Sequence, residues 1–240
     1  MNIEVLADSD SVAQRAAAII VEEAWDAIAA RGAFVMAVSG GHTPWLMLRA
    51  LAGAMVPWSA VQVVQVDERV APEGDPERNL THLRESLLAH VPLRPEHIYA
   101  MPVTAPDLEA AAAHYARTLE TLAGAPPVID LVHLGLGPDG HTASLVPDDP
   151  VLHVEDEYVA LSGPYQGRLR MTLTYPALNR ARRILWVVTG DDKKEMCRQL
   201  LAGYRSIPAG RIRRDRALVV ADCAAAATAH SLIKGELVCA

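Results

Sequence analysis

The sequence predicts an α/β fold, a three-layer α/β/α arrangement with a mainly parallel central sheet. Short apolar runs of strand length alternate with helical segments along the chain, which is the order that βαβ units produce. Several of these runs end in glycine-rich turns. Hydrophobic residues make up 51% of the chain and aromatic residues only 5%, so the core is expected to consist mostly of Ala, Val and Leu.

Length and charge limit the possible functions. A chain of 240 residues without a linker or repeat predicts a single domain over residues 1–240. The net charge of −7 argues against a nucleic-acid surface. Three cysteines without C-x-x-C spacing give no zinc signature and suit a reducing compartment. With no signal peptide and no apolar run of roughly 18 residues, we expect a cytoplasmic protein without membrane partners, either a monomer or a small homo-oligomer.

The N-terminal half alternates strand and helix. Its continuous apolar runs predict buried strands, and glycine or a small polar residue marks most helix ends. The predicted strands are Ile3–Leu6, Ala33–Val38, Val61–Val66 and Ile98–Met101. The predicted helices extend to about Arg31, over Trp45–Leu51, to near His90 and over Pro106–Ala123. The predicted caps are Ser9 or Asp10 with Gly32, then Thr43 with Pro44, then Asp75 or Asn79, and finally Gly124.

The C-terminal half contains a strand with clear alternation, Arg168–Thr174. Leu169, Met171 and Leu173 would share one face, opposite Arg168, Arg170, Thr172 and Thr174. An arginine facing a core is costly unless an anion meets it, and an edge strand with a wet face is the alternative. Lys193 would begin the next helix, where a ligand or solvent would compensate its charge. The remaining elements are the strands Ile184–Val188 and Ala217–Val220 and a C-terminal helix after Asp222.

The stretch from Asp130 to Pro147 carries the most chemistry. An apolar strand runs into a loop with three glycines and several short polar side chains, and open α/β sheets bind ligands at such strand ends. Its G-x-G-x-x-G pattern is weak evidence for a nicotinamide cofactor, because it lies mid-chain and Pro138 interrupts it. A structural turn with a solvated histidine is the other alternative. The polar residues are Asp139, His141, Thr142 and Ser144.

A second glycine loop, Ser39–Pro44, follows another predicted strand. Its two glycines let successive N–H groups converge where the positive end of the next helix dipole points, which favours a phosphate. The loop lacks Gly-Lys-Ser/Thr, so ATP is disfavoured. An ordinary strand-to-helix turn is the alternative. The charged run Asp67–Arg69 ends a third strand and would share the same rim unless it is simply solvated.

These pieces, in this order, resemble the 6-phosphogluconolactonase family over nearly the whole chain. They are Ser39-Gly40-Gly41-x-Thr43-Pro44, Asp67-Glu68-Arg69 with Asn79 after it, Gly135 to Leu145, Arg170-x-Thr172 and Gly190-x-x-Lys193. The resemblance implies the Rossmann-like fold of glucosamine-6-phosphate deaminases. The departures from the family pattern are His42, Arg78, Val146 and Asp148. The related deaminases carry Asn and Glu where Leu145 and Val146 stand, which favours the lactonase.

The resemblance implies hydrolysis of 6-phospho-D-glucono-1,5-lactone in the oxidative pentose phosphate pathway, without a cofactor or metal. His141 would be the general base, because an imidazole titrates near neutral pH. Asp139 would either orient that ring or bind a sugar hydroxyl, and Arg69 would stabilise the oxyanion. The expected substrate-binding residues are Ser39, Gly40, Gly41, His42, Thr43, Asp67, Gly137, Arg170 and Lys193. The alternatives are a glucosamine-6-phosphate deaminase/isomerase, a non-catalytic sugar-phosphate-binding domain and a nicotinamide enzyme.

Overall fold

The computed structural model describes residues 1–228. Within that range the strands are β1 (Asn2–Leu6), β2 (Phe34–Val38), β3 (Val61–Gln65), β4 (Asp67–Arg69), β5 (Ile98–Tyr99), β6 (Leu131–Leu134), β7 (Val159–Tyr165), β8 (Arg168–Leu173), β9 (Arg183–Val188) and β10 (Ala217–Asp222). The α-helices are α1 (Ser9–Arg31), α2 (His42–Ala52), α3 (Asn79–Leu83), α4 (Leu108–Ala123), α5 (Tyr175–Leu178), α6 (Lys194–Ala202) and α7 (Cys223–Ala226). The predicted C-terminal helix beyond residue 228 lies outside the described residues. One of the three cysteines, Cys239, lies there as well.

The central sheet confirms the predicted three-layer α/β/α architecture. Seven strands pair in the order β1-β10-β9-β6-β2-β3-β5, and every pairing is parallel. Strand β2 is buried along its whole length, and its side chains alternate between two apolar clusters. Phe34, Met36 and Val38 face the cluster that α1 and α2 cover. Val35 and Ala37 face the cluster that α4 and α6 cover, so helices close both faces.

A second, three-stranded antiparallel sheet lies beside the carboxyl end of β3. Its order is β4-β8-β7, with Arg69 opposite Arg170. The run Asp67–Arg69, which was predicted to end the third strand, instead forms a separate strand after Val66. Strand β7 escaped the sequence analysis because Gly163 and Pro164 interrupt its apolar pattern. Since β8 pairs on both sides, the edge-strand alternative for it is wrong.

The predicted facing of β8 is only partly right. Met171 and Leu173 are fully buried and Arg170 is 3% exposed, but Leu169 is 43% exposed. Arg168, near the turn, pairs instead with surface carboxylates of Asp75 and Glu77. The core therefore covers only the last part of the strand.

Several predicted helix caps are replaced by other groups. Asp8, rather than Ser9 or Asp10, accepts the Ser11 N–H at the start of α1, at 2.8 Å. Gly32 ends that helix with φ of 80°, as predicted. Helix α2 begins at His42 and has no side-chain cap, so the prediction for Thr43 was wrong. Neither Asp75 nor Asn79 caps α3, whose helical path continues as a π turn over Arg84–Leu88.

No helix within the described range is long and apolar enough to cross a membrane.

Candidate active site

A cavity of about 420 Å³ lies at the carboxyl ends of the parallel strands. The loops after β2, β6 and β9 line it together with β4 and β8, because strands that run the same way end at the same edge of the sheet. Every predicted site residue except Asp139 lies on its wall. Those residues are Ser39, Gly40, Gly41, His42, Thr43, Asp67, Arg69, Gly137, His141, Arg170 and Lys193.

Asp139 lies against the His141 ring rather than on the cavity wall. Its Oδ1 is 2.5 Å from His141 Nδ1 and accepts the His141 backbone N–H at 3.1 Å. Of the two roles left open by the sequence, this geometry favours orientation of the ring. Burial alone would raise the pKa of Asp139, but hydrogen bonds from His141 and Tyr165 outweigh it and hold that pKa below its ordinary value.

The glycines of this loop bring the chain close to the imidazole. A Cβ on Gly137 would lie 2.0 Å from His141 Nδ1, so the ring packs directly on the bare backbone. Gly140 has φ of 83°, and its N–H donates to Gly137 O at 3.0 Å. The His141 side chain is 20% exposed, which leaves it open to the cavity without being on the outer surface.

Tyr165, at the end of β7, completes the surroundings of Asp139. Its hydroxyl donates to Asp139 Oδ2 at 3.0 Å, and its ring meets the His141 ring edge-on with centroids 5.2 Å apart. Burial and the Asp139 carboxylate raise the pKa of Tyr165, so the hydroxyl stays protonated. Sequence reasoning missed this residue together with β7. The Gln166-Gly167 pair before an alternating strand was a usable hairpin signal.

Arg69 and Arg170 bring two positive charges to the cavity on neighbouring strands. Arg170 is buried, yet its side-chain partners in the described chain are neutral oxygens of Tyr165 and Gln166, and its Nε has none. Burial, and next the charge of Arg69, lower the pKa of Arg170. A desolvated cation beside a like charge is stabilised by a bound anion, so this pair favours an anionic ligand.

The carboxylates beside these arginines are buried rather than solvated. Glu68 is fully buried and accepts the backbone N–H groups of Asn79 at 2.7 Å and Leu80 at 2.8 Å, so it holds the start of α3. Asp67 accepts Ser144 Oγ at 2.7 Å and Asn79 Nδ2 at 3.1 Å. Its expected contact with the substrate therefore has to coexist with these internal bonds.

Asn79 links Asp67 to Arg69. Its Oδ1 accepts a short hydrogen bond from Arg69, while its Nδ2 donates to Asp67. A Cβ on Gly40 would lie 1.8 Å from that Oδ1, so the glycine loop packs against the same amide. Asn79 also lines the cavity, although the sequence predicted it as a candidate helix cap and as part of the resemblance, not as a site residue.

The Ser39–Pro44 loop joins the cavity to the first turn of α2. Gly41 is the N-cap with φ of 125°, and Thr43 Oγ1 lies 2.5 Å from Thr189 Oγ1 of the loop after β9. The first N–H groups of a helix lack intrahelical partners and carry partial positive charge. Lys193 lies at the same wall, where its Nζ is 2.9 Å from Asp192 Oδ2.

A histidine of β6, His133, accepts a hydrogen bond from the backbone of the Ser39–Pro44 loop. Ser39 N–H donates to Nδ1 of His133 at 3.3 Å. His133 is fully buried, and burial lowers its pKa to about 3, so the ring is neutral at physiological pH. Among the described residues, no group of three or more His, Cys, Asp and Glu side chains is arranged to hold a metal ion.

Known proteins match this chain over most of its length. The family described as glucosamine-6-phosphate isomerases/6-phosphogluconolactonase matches residues 7–220. A 6-phosphogluconolactonase of Streptomyces coelicolor is 38% identical, with 91% of each chain covered. The structure of the Thermotoga maritima 6-phosphogluconolactonase superposes with a TM-score of 0.82 at 24% identity, covering 92% of this chain and 98% of that one. A monomeric glucosamine-6-phosphate deaminase shares the fold with a TM-score of 0.83 at 20% identity, over 95% of this chain and all of that one.

Proposed function

The chain belongs to the family of glucosamine-6-phosphate isomerases and 6-phosphogluconolactonases, and we propose that it hydrolyses 6-phospho-D-glucono-1,5-lactone with His141 as general base. Its assignment to the lactonases rests on relatives such as the Streptomyces coelicolor enzyme. The observation that carries the mechanism is the Asp139–His141 pair beside a cavity lined by three cations, Arg69, Arg170 and Lys193. The pair suits base catalysis, and the cations suit an anionic substrate.

The phosphate of the lactone is the natural anion for this cavity. The N–H groups at the start of α2, with Arg170 and Lys193, would hold it through charge-assisted hydrogen bonds. The phosphate is remote from the reacting carbon, so its binding energy serves to orient the ester. Arg69, beside Arg170, would face the carbonyl oxygen and stabilise the charge that develops on it.

His141 would take part in two proton transfers, one from the attacking water and one to the departing ring oxygen. With Nδ1 held by Asp139, the other ring nitrogen, Nε2, takes a proton from water as the water oxygen attacks the lactone carbonyl carbon. The resulting tetrahedral oxyanion collapses, the bond from that carbon to the ring oxygen breaks, and the imidazolium returns its proton to the departing oxygen. The products are the open-chain hydroxyl and a carboxylic acid, which loses its proton to solvent to give 6-phosphogluconate, and the enzyme is regenerated without a cofactor.

Residues after the glycine loop support the lactonase over the deaminase. Leu145 and Val146 are buried apolar residues, at 0% and 7% exposure. The polar pair that the resemblance associates with deaminases at these positions is therefore replaced by packing groups. The deaminase match itself, at 20% identity, carries the fold alone.

A coupled assay tests the proposal. A glucose-6-phosphate dehydrogenase generates the lactone, and the disappearance of the lactone is followed with and without this protein. We expect removal of the lactone well above the spontaneous rate. Removal at the spontaneous rate would contradict the lactonase function, and release of ammonia from glucosamine 6-phosphate would support the deaminase instead.

A further inference from the structure

Tyr165 contacts both the Asp139–His141 pair and Arg170. Its hydroxyl donates to Asp139 Oδ2 at 3.0 Å, and its ring lies edge-on to His141. On the same ring, the guanidinium carbon of Arg170 lies 4.9 Å from the centroid. Within the described chain, the Tyr165 side chain thus contacts three groups. They are His141, the proposed base, Asp139, the carboxylate that orients it, and Arg170, which is proposed to bind the phosphate.

We infer that Tyr165 is a positioning residue for lactone hydrolysis, which acts through Asp139 on the base and through its ring on Arg170. This inference rests on the proposed function, since it assigns Tyr165 a part in the same reaction. Tyr165 does not line the cavity at the strand ends, so it would act through its neighbours and not on the substrate.

The hydroxyl fixes the direction of the Asp139 carboxylate. Asp139 side chain is 34% exposed, so water competes for both of its oxygens. With Oδ2 bonded to Tyr165 and Oδ1 to His141 Nδ1, the carboxylate is held between two donors. A ring held at Nδ1 keeps Nε2 aimed at one place, and small misplacements of a reacting group cost rate.

The ring provides a surface for a buried cation, Arg170, whose hydrogen bonds within residues 1–228 include none to a carboxylate. Arg170 is 3% exposed and bonds to Gln166 Oε1 at 3.2 Å and to the Tyr165 carbonyl at 3.5 Å. The negative face of an aromatic ring attracts a guanidinium, most strongly when water is excluded. Tyr165 thereby holds Arg170 in place without neutralising the charge that an anionic substrate needs.

The backbone around Tyr165 keeps both contacts in register. Tyr165 pairs with Arg168 across a two-residue turn, where Gln166 has φ of 53° and Gly167 has φ of 79°. Two successive positive φ values are typical of the tight turn that joins twisted antiparallel strands. Tyr165 and Arg170 therefore belong to one hairpin, and a change in either strand would move both.

Steady-state kinetics on four variants test the inference. Tyr165→Phe keeps the ring, so we expect kcat to fall by about 10-fold to 10²-fold with KM nearly unchanged. Tyr165→Leu also removes the ring, so KM should rise by roughly 2-fold to 30-fold in addition. Asp139→Ala removes the partner of the hydroxyl, and adding Tyr165→Phe to it should cost little more, because both changes break the same contact.

Tyr175→Phe is the matched control, since it also removes a tyrosine hydroxyl bond, to Pro208 O at 2.9 Å, outside the cavity. It should leave kcat and KM at their wild-type values. Wild-type kcat in Tyr165→Phe, or the same fold loss with Asp139 present and absent, would overturn the inference while the wild-type lactonase activity stands. A wild-type protein without lactonase activity would instead overturn the proposed function. Thermal unfolding of each variant identifies a loss that is due to folding, and Tyr165→Phe still decides the matter should Tyr165→Leu fail to fold.

Discussion

Oδ1 of Asp139 lies 2.5 Å from Nδ1 of His141, two positions further along the chain. The turn at Gly140 makes this local contact possible, and the bare backbone of Gly137 gives the ring room. A carboxylate at Nδ1 fixes the tautomer that leaves Nε2 free to accept a proton. The geometry therefore assigns the His141 ring a direction as well as a place.

Replacing the base should remove most of the catalytic rate. His141→Ala is expected to lower kcat by ~10²–10⁴, because general base assistance has that size. Lactone turnover and thermal unfolding should be measured together, and the folded state should persist because the ring is at the cavity wall. Turnover close to that of the wild type would contradict the assignment of the base.

The two cavity arginines should have separable effects. Arg170→Ala is expected to raise KM by about 10-fold to 10²-fold through the loss of a charge-assisted bond to the phosphate. Arg69→Ala should mainly lower kcat, by ~10²–10³, if it stabilises the oxyanion. Steady-state kinetics of both variants on the same lactone preparation check this. The assignment of phosphate to Arg170 is wrong if its removal leaves KM unchanged.

A methyl group added in the Ser39–Pro44 loop should reduce activity more than it reduces stability. In Gly40→Ala the new Cβ would meet the Asn79 Oδ1 that accepts from Arg69, so the amide and the guanidinium both have to move. We expect kcat/KM to fall by ~10²-fold and the free energy of unfolding by about 1–3 kcal/mol. Gly53→Ala is the control, since its Cβ meets the Ala50 carbonyl at an ordinary 3.6 Å. Equal kinetics in the two variants would argue against this packing constraint.

The neutral His133 should make the stability fall in acid. Burial lowers its pKa to about 3, while an unfolded histidine titrates near pH ~6.5. Between these values the unfolded state binds more protons, so the free energy of unfolding decreases as the pH falls, by up to ~1.4 kcal/mol per unit.

Urea unfolding of the wild type and of His133→Gln at pH 7 and pH 5 measures this contribution. The glutamine keeps an acceptor for the Ser39 N–H but does not titrate, so the variant should lose less stability between the two values. His153→Gln is the matched control, because it removes an exposed histidine. Parallel losses in the wild type and His133→Gln would show that His133 does not contribute.

Local patterns in the sequence predicted most of the elements that form the cavity. Apolar runs marked all seven parallel strands, and wherever bounds were predicted the strand ends lie within two residues of them, because strands buried on both faces need continuous apolar residues. The glycines after β2 and β6 marked the ligand loops, since such tight turns near a side chain exclude a Cβ. The resemblance then selected residues of which all but Asp139 line one cavity.

Contacts between residues far apart in the sequence could not be predicted from local patterns. Tyr165 meets Asp139 and Arg170 because a hairpin folds across the edge of the sheet, and the interrupted pattern of β7 hid that hairpin. Glu68 holds the start of α3, a role that the sequence analysis gave to Asp75 or Asn79. A charged residue at a strand end looks the same in the sequence whether solvent or a helix start surrounds it. The chain's own pattern thus established the layers and the rim of the cavity, whereas the partners of each charge depended on how remote segments pack, because hydrogen bonding and burial join residues irrespective of their distance along the chain.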